Sequence, residues 1–405
     1  MAKKQKGKKQ NKKQFWIYLI TLVIIIAIVL AVFYVSNGYK FDFGFLQKES
    51  ASESDSASTS VSYSDIDDIR DLKIYFLDIG QGDCIYIELP DGKNMLIDTG
   101  DKRNDGKKVI DKHLTNGKGE KVKIDYCVAT HPDSDHIGLM SYVYKEYDIL
   151  KSYRPYVYSE NKQASSLPDG LNDGRKIKNS SNIYYEYIKS IYDEKTPWEF
   201  FKDDSDFTNR FYDKNKEEYE YTVDFEMPYA TTLNGYGYFT TPNDFSAVIM
   251  LEYANRKVLF TGDIEYETGK KGAEQSFIRE FIDLSYKVDC DVLKVAHHGS
   301  DSSTSEEFLK LVKPEYSVIS CGLSNKHAHP LKSTLNNLTN ANSKIYRTDL
   351  QGTIILTINS KGEMIFEKQT DAYDTMLLDD GDTIKAYETK HKDEIENFKK
   401  DLNAA

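Results

Sequence analysis

No CxxC pair occurs among the four cysteines, Cys84, Cys127, Cys290 and Cys321, which excludes zinc ribbons and thioredoxin-like redox motifs. They sit in apolar, strand-like runs and read as buried free thiols. Basic charge is concentrated at the start of the chain. Residues 1–14 hold seven lysines and no acid, and because the whole chain carries −12, the remainder carries about −19. A body of that sign repels polyanions, which argues against tight non-specific nucleic-acid binding but leaves a metal-dependent nuclease open. A second long hydrophobic run is missing, so these residues do not build a polytopic channel. No internal repeat is visible.

What is present falls into unlike parts. Residues 15–35, FWIYLITLVIIIAIVLAVFYV, carry no charge and are about long enough to cross a hydrocarbon core of roughly 30 Å. A signal peptide would have a shorter apolar run and a small-residue cleavage site, whereas Ser36-Asn37-Gly38-Tyr39 follows here. A core helix would show a polar face. The expectation is therefore one retained transmembrane helix. The basic tail 1–14 is expected in the cytoplasm and everything after Val35 outside the cell membrane. Residues 36–70, Ser- and acid-rich through KESASESDSASTSVSYSD, read as a disordered linker.

From about residue 71 to 369 the pattern is that of one folded domain. Short apolar runs predict strands over 73–78, 84–89, 94–98, 124–129, 247–253, 258–260, 292–296, 317–320 and 353–358. Helical periodicity predicts helices over 107–114, 274–284 and 306–312. Strand pairs first, then strands alternating with helices, predict two sheets sandwiched by helices, an α/β fold. Residues 141–240, rich in Tyr, Asn, Asp, Ser and Lys, read as a variable insertion or lid beside the site. Residues 370–405 read as an acidic C-terminal tail, part helical.

The chemistry concentrates where predicted strands end. Thr130-His131-Pro132-Asp133-Ser134-Asp135-His136 places two histidines and two carboxylates within six residues. Alternate residues of an extended turn point the same way, so His131 and Asp133 can share one ion, while Asp135 and His136 reach a second. By itself the string also suits an ordinary polar turn. Two further segments weigh against that: LFTGD delivers Asp263 after an apolar strand, and VLKVAHHGS delivers His297 and His298 after another. NKHAHP follows a fourth. Six of the eight histidines thus come directly after predicted strands, and only His113 and His391 read as solvated.

These motifs resemble the metallo-β-lactamase superfamily, specifically the C-terminal hydrolase domain of ComEC-type competence proteins and their stand-alone relatives. The resemblance runs from about Leu72 to Glu367 and is carried, in the family's order, by FLDIGQGD (76–83), LIDTGD (96–101), THPDSDHIG (130–138), NDFSAVI (243–249), LFTGDIE (259–265), LKVAHHGS (293–300), SNKHAHP (324–330) and YRTDLQG (346–352). It implies an αββα sandwich with two divalent metal ions, zinc or manganese, at the sheet edges. By position it implies His131, Asp133, Asp135 and His136 as the first metal motif, Asp263 as the bridging carboxylate and His329 as a late ligand. Asp133 stands where many members have histidine, and Asn243 or Asp244 where a third histidine usually lies. That makes the first site oxygen-rich and favours a harder ion.

The implied reaction is hydrolysis by a metal-activated water, with Asp135 at its centre and His297 or His298 as the acid on the leaving group. The two histidines stay open between ligand, acid and substrate contact. Asn243 and Ser300 are expected to touch substrate. The leading substrate is a phosphodiester, DNA or RNA first, because ComEC-type domains are linked to DNA uptake; uptake or envelope partners would follow from that. A small phosphodiester or a cell-envelope phosphocholine ester is the alternative, and a non-catalytic binding module with this fold is another.

Overall fold

The computed structural model describes residues 62–65, 69–102, 105–168, 170–174, 182–201, 206–227, 241–266, 272–283, 288–390 and 392. The expected basic tail, transmembrane helix, most of the linker and His391 lie outside these residues. Among the described residues no helix is long and apolar enough to cross a membrane.

Two eight-stranded sheets face each other. One holds β2 (Leu72–Phe76), β3 (Ile85–Glu88), β4 (Asn94–Ile97), β5 (Ile124–Val128), β6 (Ile149–Arg154), β7 (Trp198–Phe200), β15 (Ile354–Ile358) and β16 (Met364–Lys368), in the order β16-β15-β2-β3-β4-β5-β6-β7. The other runs from β1 (Ser62–Asp65) through β8 (Phe207–Tyr212), β9 (Glu218–Met227), β10 (Val248–Tyr253), β11 (Arg256–Phe260), β12 (Val292–Lys294) and β13 (Tyr316–Ile319) to β14 (Lys344–Arg347). In each sheet antiparallel pairing gives way to parallel: β4-β5-β6-β7 in the first, β11-β12-β13-β14 in the second. The carboxyl ends of these parallel strands carry the strand-end histidines and acids.

The period-two pattern explains the sandwich. In β2 the residues Leu72, Ile74 and Phe76 are fully buried while Lys73 and Tyr75 are half-buried, as alternation across a pleat requires. Phe76 meets Phe260 of the other sheet at 6.3 Å between ring centroids. Ile249, Leu251, Val258, Val292 and Val318 join the same inner core, each worth roughly 1.5–3 kcal/mol on burial. Residues of opposite parity, Leu96, Cys127, Leu259 and Leu293, belong to the outer core with Ile110, Val143, Ile188, Phe277, Phe308 and Leu335 of the covering helices. β10 turns into β11 through Ala254 and Asn255, both left-handed at φ 50° and 59°, the geometry that matches strand twist in a two-residue hairpin. All four cysteines are buried and free.

Three expectations change. Residues 141–240, read as a lid, supply β6 and β7 to one sheet and β8 and β9 to the other. Phe207 stacks on Tyr126 at 4.8 Å, and Tyr184, Tyr187 and Ile188 of the helix Asn182–Asp193 are core. Ser62–Asp65, within the expected linker, pairs in parallel with β8. His113, read as solvated, is partly buried and lies 5.8 Å from the Tyr75 ring.

Candidate metal centre

The HPDSDH turn is shaped by close backbone approaches. β5 ends at Val128, and after Pro132 the chain makes one helical turn, Ser134–Ile137. A Cβ on Gly138 would stand 2.4 Å from Ser134 O and 2.5 Å from Lys102 N, and one on Gly82 2.1 Å from Asp135 O. Only glycine fits at either position. The Asp83 N–H donates to that same Asp135 carbonyl at 3.1 Å, so the GQGD loop is laid directly against the turn.

Asp98, fully buried after β4, fixes His136. Its Oδ1 accepts the Thr130 N–H at 2.8 Å; its Oδ2 accepts Thr130 Oγ1 at 2.6 Å and lies 2.7 Å from His136 Nδ1. A carboxylate on Nδ1 sets the tautomer and leaves Nε2 for a ligand. That Nε2 faces Asp263 Oδ2 at 3.2 Å and His298 Nε2 at 3.3 Å. His298 is oriented in the same way. Its Nδ1 is 2.9 Å from Ser320 O and 3.3 Å from Asp83 Oδ1. Its Nε2 looks toward Asp263 Oδ2 at 3.4 Å and Asp135 Oδ2 at 3.5 Å.

Ligand atoms of Asp83, His136, Asp263 and His298, all buried, fall within 4.8 Å of one another. Asp83, however, lies on the Nδ1 side of His298 and pairs with buried Lys294 at 2.7 Å. The carboxylate facing His298 Nε2 from the open side is Asp135. Beside this group His131, fully buried, points Nε2 to within 3.9 Å of both Asp133 Oδ2 and Asp263 Oδ2. His297 Nε2 is 3.9 Å from Asp263 Oδ2, with its Nδ1 held 3.0 Å from Glu265 Oε1.

Burial penalises every charge here, and the neighbours decide which survive. For Asp263 burial is outweighed by His136, His298 and His297, which hold the carboxyl well below its usual range. For His136 burial is outweighed by Asp263 and Asp98, which push the imidazole well up. His131, buried and next to His136, falls to about 3, while Asp133, buried and next to Asp135, rises to about 6. The centre is a dense alternation of opposite charges.

The residues fit divalent cations. Asp263 Oδ1 and His131 Nε2 are buried without a hydrogen-bond partner, a condition that costs about 1–3 kcal/mol per group unless something takes the lone pair. The donors are imidazole nitrogens and carboxylate oxygens, the set that zinc and manganese accept. His297 and His298 are also successive non-glycine residues in left-handed backbone, φ 47° and 55°, the sort of strain that persists at functional sites.

The sequence-predicted residues meet here. Asn243 reaches Glu265 with its side chain, and its Oδ1 is buried without a partner. Asp244 turns instead to Thr241 at 2.9 Å. Ser300 bonds Ser302 at 2.9 Å, which bonds Glu265. His329 lies 5.5 Å from the His297 ring and 6.5 Å from the His298 ring, outside the tight quartet. Sequence reasoning assigned no role to Asp83, Asp98, Lys294 or Glu265. Asp98 follows a strand as the assigned acids do, so the strand-end rule, applied evenly, finds it.

The family model of the metallo-beta-lactamase superfamily matches residues 77–323. The chain is 28% identical over 298 residues to ComE operon protein 3 of Bacillus subtilis, covering 70% of this chain and 32% of that protein. It is 35% identical over 112 residues to competence protein ComA of Neisseria gonorrhoeae, covering 28% and 15%, and 25% identical over 279 residues to recombination protein 2 of Haemophilus influenzae, covering 69% and 28%. The chain thus spans about a third or less of the length of these curated relatives. With its two helix-covered sheets and the histidines and carboxylates gathered at their parallel strand ends, the chain belongs to the metallo-beta-lactamase superfamily.

Proposed function

We propose that this protein hydrolyses phosphodiesters with two divalent cations. The observation that carries this reading is the cluster of buried His136, Asp263 and His298 with half-buried Asp135 on its open side, abutting His131 and Asp133, with Asp263 Oδ1 and His131 Nε2 unpartnered. His131, Asp133 and Asp263 would hold one ion, and Asp135, His136, His298 and Asp263 the other. This moves His298 among the ligands in place of His329; what supports the change is His298's Nε2 facing three site residues. When bound, the cations supply Lewis-acid activation of water and neutralise charge on the phosphoryl oxygens.

The chain's own groups do the rest. Hydrolysis joins a water oxygen to phosphorus and breaks one phosphoester bond, so the leaving oxygen needs a proton. His297 is placed to give it from Nε2, because Glu265 holds Nδ1 and the ring is 23% exposed at the rim. Such a positioned acid contributes typically 10²–10⁴-fold. Asn243, through Glu265, and Ser300, through Ser302, frame the same rim. The oxygen-rich set around His131 favours manganese over zinc.

Competence-related relatives support a nucleic acid as substrate. The acidic composition of the chain favours a small phosphodiester or phosphocholine ester instead. Incubating the purified protein with single- and double-stranded DNA, RNA, bis-p-nitrophenyl phosphate and a phosphocholine ester, under manganese and zinc separately, tests the reading. Turnover of at least one phosphodiester, faster with manganese, is expected. Metal binding without turnover of any would leave a binding module and sink the proposal.

The uncharged run at 15–35, preceded by seven lysines, supports a single-pass anchor with the hydrolase domain outside the membrane. Protease added to intact cells is then expected to release the domain. An intact, fully protected chain would reverse that orientation.

A further inference from the structure

The helix Gly381–Lys390 and the turn before it lie against the loop that carries His329. The Gly381 N–H is 3.2 Å from Ala328 O and 3.3 Å from Pro330 O, the two carbonyls on either side of His329. A Cβ on Gly381 would stand 2.5 Å from both the carbonyl carbon and the oxygen of Ala328. No other residue permits that approach. Within the loop, Ser324 and Ala328 are left-handed at φ 51° and 58°, a conformation that non-glycine residues keep only when their surroundings impose it.

The loop is held from two sides. Beneath it, Asn325 Oδ1 accepts the His327 and His329 N–H groups at 3.1 and 3.0 Å, and Asn325 Nδ2 donates to His329 O at 2.6 Å. Above it, the C-terminal segment is tied to the domain by backbone carbonyls. Arg347, fully buried and paired with Asp349 at 2.7 Å, donates to Leu377 O at 3.1 Å and Asp379 O at 2.5 Å. Lys332 Nζ donates to Leu378 O at 2.7 Å, Ile384 is buried, and Ser324 Oγ donates to Glu388. His329 meanwhile presents a buried Nδ1 with no partner beside His297.

We infer that residues 377–388 are a clamp that aims His329 at the site, and that Gly381 is a positioning residue acting through that histidine. That His329 acts in turnover, through its contact with the proposed acid His297, rests on the hydrolase reading above, whereas the clamp itself does not.

The test compares Gly381→Ala and Gly381→Val with Lys385→Ala, an exposed position on the same helix. Hydrogen exchange across residues 324–331, manganese affinity, and kcat and KM on bis-p-nitrophenyl phosphate are measured. In Gly381→Val, loop exchange is expected to rise about tenfold or more while β4, β5 and β11 stay protected and manganese affinity holds within about threefold. In the same variant kcat should fall about tenfold or more with KM nearly unchanged. Gly381→Ala should lie between, and Lys385→Ala should match the unmodified chain. Unchanged loop exchange in Gly381→Val overturns the clamp, as does protection lost throughout the domain together with manganese binding. If Gly381→Val does not fold, Ile384→Ala undocks the helix less severely and takes its place in the same comparison. A wild-type protein without phosphodiesterase activity would sink the proposed function, yet the exchange data would still decide the clamp.

Discussion

Asp135→Ala and Asp263→Ala are each expected to lower phosphodiester hydrolysis by about two to three orders of magnitude, the loss typical when one preorganised charge-stabilising group is removed. Each takes an anionic oxygen from a cluster whose members lie 3.2 to 3.9 Å apart. Stability of the metal-free chain should fall as well for Asp263→Ala, because the deletion strips buried His136 and His298 of the carboxylate 3.2 and 3.4 Å away. Asp135→Ala, at a side chain 28% exposed and 3.5 Å from His298, should cost less. His113→Ala is the control. Its ring lies on Tyr75, away from the site, and turnover should be unchanged. Wild-type rates in both aspartate variants would remove these carboxylates from the chemistry.

Lys294→Met is expected to have the largest effect on stability. Lys294 and Asp83 are 0% and 2% exposed and 2.7 Å apart, and the other neighbour of Asp83, His298 Nδ1 at 3.3 Å, is shared with Ser320 O at 2.9 Å. Removing the cation leaves an uncompensated buried carboxylate, which typically costs about 3–5 kcal/mol. Urea unfolding of the variant reads this directly. The double variant Asp83→Asn with Lys294→Met should recover most of the loss, because neither charge then remains. A loss below about 1 kcal/mol in the single variant would mean that Asp83 is neutral or solvated. The pair also supports His298 from its Nδ1 side, so the single variant should weaken manganese binding as well.

Much of this centre was legible because metal chemistry uses few residue types and the fold delivers them at strand ends. His131, Asp135, Asp263 and His298 each follow an apolar run, and the runs themselves fixed most strand positions to within two residues. Between residues 141 and 240 the same reasoning failed for a physical reason. β8 reads FTNRFY and buries polar Asn209 between Phe207 and Phe211, while β9, EYEYTVDFEM, buries Tyr221 beside Val223 and Phe225; hydropathy counts tyrosine as nearly polar although the ring packs like phenylalanine. The C-terminal segment was read as a part-helical tail, and the helix is there, but its docking was unreadable for another reason. Arg347 holds it through the backbone carbonyls of Leu377 and Asp379, and a backbone acceptor has no side-chain signature. Asp83 escaped because it precedes a strand, and its partner Lys294 because a single lysine inside the apolar run 292–296 carries no metal-ligand signature.

Manganese stoichiometry, measured by equilibrium titration of the purified chain and of its Asp263→Ala variant, tests the two-cation centre most directly. Two ions per chain are expected for the wild type and one or none for the variant, with hydrolysis of bis-p-nitrophenyl phosphate lost in parallel. Equal stoichiometry and equal turnover in the two proteins, or no saturable binding in the wild type, would contradict the account.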